Sequence, residues 1–257
     1  MNHNERIEEY KLSMERKNYS ERTVKTYLKE INNFFEFLFK NHPSILELYQ
    51  INKSIIKDYS NYLLCYKTKS DKPLSSNTQK LKLIAVKMFF QYLVREDYII
   101  KDPTLSLDLP KEEQSLPKNI LTKEEIYKIL NSIDTRNPIG LRNKTVVELL
   151  FSCGMRTSEL TNIKIKDVDL KDQTVLIYKG KGNKSRILPL TQQSTEIIRL
   201  YLEKGRKHFL KNREDKGYLF LSNRGKKFDR GSINKCVMRQ VAKDAEIDKR
   251  ITVYSYR

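Results

Sequence analysis

The sequence predicts a mainly α protein of two parts, an N-terminal four-helix bundle and an α+β domain carrying a small antiparallel sheet. Apolar residues recur at helical spacing through the first hundred residues. Three prolines and a polar run then fall within residues 102–117. Beyond them the period changes from helix-like to strand-like at residues 173–189, around the glycine-bracketed Gly180-Lys181-Gly182. A length of 257 residues allows each part its own core.

Each element has its own local reason. Ile7, Tyr10, Leu12 and Met14 mark a first helix, about residues 7–17. Ser20 is a candidate N-cap, with Tyr19 and Val24 placed to close a hydrophobic staple. Val24, Tyr27, Leu28, Ile31, Phe34, Phe35 and Leu38 then form the cleanest helical stripe of the chain. Asn52, between Ile51 and Ile56, opens a third helix to about Tyr66. Ser76 and Gln79 fit a capping box for a fourth, whose stripe runs from Leu81 to Leu93. These four predict a bundle over residues 1–105, a linker at 106–119 and a second domain over 120–257. That domain restarts with a capping box at Thr122 and Glu125 and a helix from about Leu141 to Phe151. Residues 173–179 and 185–189 read as a hairpin, with Ile163, Ile165 and Val168 as a preceding strand. Helices over about 194–210 and 232–245 flank a short Tyr218–Leu221 segment and a turn at Asn223-Arg224-Gly225.

Charge narrows the partners. Fifty Lys and Arg against 32 Asp and Glu give a formal net charge of +18, which favours a polyanion, the competing reading being a lysine-rich coding bias. No apolar run approaches a membrane span and the N-terminus has no signal-peptide core, so a cytoplasmic protein without a membrane partner is expected. Cys65, Cys153 and Cys236 lack metal or disulfide spacing and read as small buried apolar residues. His3, His42 and His208 read as solvated surface.

Two stretches carry candidate chemistry. In Phe151-Ser152-Cys153-Gly154-Met155-Arg156-Thr157-Ser158-Glu159-Leu160 an apolar run stops at a glycine, and an arginine and a glutamate follow at i, i+3. Glu159 can hold the Arg156 guanidinium in place, as a mounted phosphate reader requires; a helix cap followed by a surface ion pair is the plainer alternative. Lys181 sits between two glycines at the hairpin tip. It can enter a DNA groove, protonate a leaving oxygen, or be a solvated turn.

Together these pieces resemble the tyrosine recombinase (phage integrase) family, with Xer-like recombinases closest in style. The resemblance rests on Gly154-Met155-Arg156-Thr157-Ser158-Glu159, Gly180-Lys181-Gly182-Asn183-Lys184, Tyr254-Ser255-Tyr256-Arg257 and the Leu116-Pro117-Lys118 entry into the second domain. It implies a SAM-like, core-binding N-terminal domain and a catalytic second domain that together clamp double-stranded DNA, with further protomers joining in a tetrameric synapse. It further implies that Arg156 and Arg257 grip the scissile phosphate, that Lys181 protonates the leaving 5′ oxygen, and that Glu159 orients Arg156. Neither metal nor cofactor is required, because the bond energy is stored in a 3′-phosphotyrosine.

Two departures qualify the carry-over. Tyr254 stands where the family places its first histidine, and a phenol with an ordinary pKa of about 10 is a poor proton shuttle at neutral pH. The family's later histidine segment and nucleophilic tyrosine lie beyond Arg257 in the pattern, so the expectation is a catalytically incomplete chain with no nucleophile of its own. Structural or substrate-contact roles are expected for Tyr254 and Tyr256. A non-enzymatic DNA-binding remnant that modulates an intact recombinase is the alternative, and marginal stability or self-association is expected of a domain lacking its last segment.

Overall fold

The computed structural model describes residues 3–68, 70–111, 119–178, 185–211 and 213–256, and divides into two compact units, Met1–Gln114 and Ser115–Arg257. In the first unit, α1 (His3–Arg16), α2 (Glu21–Asn41), α3 (Lys53–Cys65) and α4 (Ser76–Arg95) form the bundle. The Ser20 side chain accepts from the Thr23 N–H at 3.1 Å and fixes the start of α2. Val24, Ile31, Phe34, Phe35 and Leu38 of the predicted stripe are buried there, and of the apolar markers of α1 Ile7, Tyr10 and Met14 are buried while Leu12 is exposed. Phe34 packs edge-on against Tyr59 of α3 and Phe90 of α4, so aromatic rings join three helices.

Several local readings change. The α4 cap is Ser75, whose extended backbone lets its Oγ accept from Thr78; Ser76 is already helical, and the Gln79 amide donates to the Leu74 carbonyl instead of closing a box. Cys65 and Cys236 are exposed, because neither lies on the buried stripe of its helix, whereas Cys153 is half-buried against the core of its unit. His3 packs on Phe35 and Phe39, and His42 lies beside Phe37 with Nε2 3.7 Å from Asp58, so of the three histidines His208 alone is exposed. After α4, Asp102 accepts from both the N–H and hydroxyl of Thr104 in a buried turn, and Leu107 and Leu109 pack against the bundle core. Residues 112–118 of the expected linker lie outside the described residues.

In the second unit α5 (Lys123–Ser132) starts at Thr122 with the reciprocal Thr122–Glu125 box. The buried α6 (Pro138–Cys153) leads into the short α7 (Thr157–Asn162). Strands β1 (Val168–Asp169), β2 (Thr174–Ile177) and β3 (Arg186–Pro189) form an antiparallel sheet in the order β1-β2-β3, with Val175 opposite Leu188 and Ile177 opposite Arg186. Of the expected preceding strand, Val168 joins β1, whereas Ile165–Asp167 is a 3₁₀ turn. The helix after the sheet runs as α8 (Gln192–Leu200) through a π turn into α9 (Arg206–Leu210). The last one likewise runs as α10 (Arg230–Ser232), a π turn and α11 (Arg239–Asp244). The Leu121 N–H donates to the Ser255 carbonyl at 3.0 Å, tying the start of this unit to its final 3₁₀ turn, Val253–Tyr256. No described helix is long and apolar enough to cross a membrane.

Candidate functional site

The site is built by the junction between α6 and α7. Gly154 adopts φ 56°, the left-handed conformation that glycine takes without steric cost, and its N–H closes on the Leu150 carbonyl at 3.2 Å. The chain turns, Met155 plugs the core, and Arg156 takes an extended backbone as the N-cap residue of α7. Arg156 therefore precedes α7 instead of lying within it, and the expected Arg156–Glu159 pair forms across the cap. Glu159 Oε2 accepts from the Arg156 backbone N–H at 2.9 Å and Oε1 from the guanidinium Nη1 at 3.0 Å. One carboxylate thus fixes both the main chain and the side chain of the arginine.

Arg186 completes the arrangement and was not singled out from sequence. Its Nη1 and Nη2 donate to Glu159 Oε1 and Oε2 at 2.8 and 2.9 Å, a two-pronged fork. The available signal was strand register: opposite residues of an antiparallel pair share a face, and Arg186 opposes the buried Ile177. Glu159 is 4% exposed at its side chain, whereas Arg156 and Arg186 each retain 35%. Burial pushes the Glu159 carboxyl up, but the Arg186 fork and the two Arg156 hydrogen bonds outweigh it and hold the carboxyl at about 2. Two cations around one anion leave a surplus positive charge at a surface where guanidinium edges reach solvent.

Of the other expected residues only Tyr254 and Tyr256 are described. Lys181 and Arg257 lie outside the described residues. Tyr254 is 65% exposed on the last 3₁₀ turn, while Tyr256 is buried with its hydroxyl unpaired among the described residues, and burial pushes that phenol up. A buried, hard-to-ionise phenol is a core residue and a poor nucleophile.

Family models account for both units. Residues 119–257 match the phage integrase family and residues 7–100 match the phage integrase N-terminal SAM-like domain. The chain belongs to the phage integrase family. Among curated integrase-family relatives, tyrosine recombinase XerD of Halalkalibacterium halodurans is 32% identical over 238 residues, covering 93% of this chain and 76% of that protein. The XerD of Staphylococcus epidermidis strain RP62A is 31% identical over 252 residues, covering 98% and 81%. This integrase-family chain is thus a tyrosine recombinase of Xer type. Its fold is shared with XerH site-specific recombinase bound to difH substrate, with a TM-score of 0.69 at 23% identity over 91% of this chain and 66% of that one. It is shared too with a lambda integrase (75–356) dimer bound to a COC′ core site, with a TM-score of 0.67 at 16% identity over 99% and 83%.

Proposed function

We infer that this recombinase-family chain binds duplex DNA and holds one backbone phosphate at Arg156. The observation that carries the reading is the mounting of Arg156: its backbone N–H and one guanidinium N–H are held by Glu159, while 35% of its side chain stays exposed. An arginine held this way offers paired N–H donors to phosphate oxygens without first losing side-chain freedom. The reaction class of the family is site-specific cleavage and rejoining through a 3′-phosphotyrosine, to which this chain would bring phosphate contacts and a proton donor and not the nucleophile. Arg257 would be the second phosphate-gripping arginine, Lys181 the acid for the leaving 5′ oxygen, and Tyr254, exposed where the family has histidine, a hydrogen-bonding contact to phosphate. Neither metal nor cofactor is assigned a step. Further protomers would join on DNA, as in the neighbour described as a lambda integrase tetramer bound to a Holliday junction. A cytoplasmic location fits a DNA partner.

No tyrosine of this chain is proposed as the nucleophile; the burial of Tyr256 supports this, and Tyr254 is reserved for contact. The test uses the 257-residue chain with a pool of duplexes, followed by fluorescence anisotropy across a salt series. Binding should weaken linearly in log–log form with salt, and Arg156→Ala should weaken it at least about tenfold and reduce the slope by about 0.9. Salt-independent or absent binding overturns the reading. A nicked suicide duplex should give no covalent adduct, and an adduct abolished by Tyr254→Phe would make that tyrosine the nucleophile.

A further inference from the structure

The geometry points to Arg186 as a positioning residue for the phosphate site: by clamping and neutralising Glu159, it leaves the positive charge of Arg156 available to a DNA phosphate. This rests on the assignment of Arg156 as the phosphate-holding group and extends it to a residue on a different element.

Glu159 has two jobs that conflict. It must grip Arg156 to orient it, and an isolated carboxylate gripping a guanidinium cancels the charge that would attract a phosphate. Arg186 resolves the conflict by taking the carboxylate face-on through two hydrogen bonds, whereas Arg156 spends one guanidinium N–H on the same oxygen that Arg186 Nη1 already occupies. The four hydrogen bonds, counting the Arg156 backbone N–H, fill the acceptor sites of the carboxylate. Without Arg186, Glu159 would have one cation left and would draw the Arg156 fork fully onto itself. Arg186 also opens β3 and opposes Ile177 of β2, so the hydrogen-bonded sheet fixes its backbone. The α7 cap is thereby fastened to the sheet through a single carboxylate. Lysine cannot replace this fork, because an ammonium is a point charge without the planar pair of donors.

The test is a thermodynamic cycle on the full chain, with a duplex selected for binding as probe. Arg186→Ala should weaken binding about tenfold, and in that background Arg156→Ala should cost no more than about twofold, because Arg156 is already sequestered. Adding Glu159→Gln to Arg186→Ala should restore most of the affinity by removing the carboxylate that sequesters Arg156, without restoring the melting temperature. Arg186→Lys should give an intermediate loss and serves in place of Arg186→Ala should that variant not fold. Affinity left unrestored by Glu159→Gln overturns the inference, since a direct Arg186–phosphate contact or a purely structural role gives that result. A second readout needs no DNA: the Glu159 carboxyl, followed by carbon NMR, should titrate at higher pH in Arg186→Lys than in the wild type. An unmoved titration overturns the clamp, whereas loss of all DNA binding by the wild type, with the titration shifted as expected, would overturn the phosphate assignment instead.

Discussion

Glu148 inside α6 and Glu159 at the cap of α7 are both buried, yet their carboxyls move in opposite directions. Burial pushes Glu148 up, with a Ser194 hydroxyl at 3.3 Å and the charge of Lys144 only partly opposing it. Glu159 feels burial too, but the Arg186 fork and Arg156 hold it down to about 2. Burial alone therefore does not mark a functional carboxylate; the partners do. A buried acid among serines is a packing compromise, whereas a buried acid under two guanidiniums organises surplus positive charge at a surface.

The largest test of this contrast removes the organising carboxylate. Glu159→Ala should cost about 3 kcal/mol in urea unfolding, the lower end for breaking a buried pair because both arginines can rehydrate. The pH dependence has a definite sign. The folded carboxyl lies below its ordinary value, so its contribution is complete above about pH 5 and disappears as the pH falls towards 2. The stability gap between wild type and Glu159→Gln should close over that window, and a gap constant with pH would mean that the charge of Glu159 does not matter.

A smaller effect is expected at the turn that delivers Arg156. A methyl group at Gly154 meets no atom within 4 Å, so Gly154→Ala isolates the cost of a left-handed backbone, roughly 1–2 kcal/mol. Thermal unfolding measures this, and a neutral outcome would show that the α6–α7 junction relaxes. The smallest change is expected on the other side of the comparison. Glu148→Gln should alter stability at pH 8 by less than about 1 kcal/mol and in the stabilising direction, since it removes a buried charge and keeps an acceptor for Ser194. For a raised carboxyl the penalty is present at high pH and relieved as pH falls through its folded pKa, so the advantage of the Glu148→Gln variant over wild type should shrink on acidification. A loss as large as that of Glu159→Ala would erase the distinction between the two glutamates.

Much of the molecule was legible one residue at a time. The Ser20, Asn52 and Thr122 caps, the α2 stripe and the hairpin strands depend on interactions within a few residues, which spacing encodes directly. Local readings failed where a neighbouring residue offered the same chemistry, as Ser75 did beside Ser76, or where residue type stood in for position, as with the exposed Cys65 and Cys236. Gly154-Met155-Arg156 and Glu159 showed in the sequence that an arginine is mounted after a helix stop, since an i, i+3 cap is a local object. That Glu159 is shared, and that the second guanidinium comes from β3, only the tertiary structure decided. Strand register carries Arg186 to α7 across 27 residues of chain, and no spacing rule reaches that far because the contact exists only once the sheet has formed.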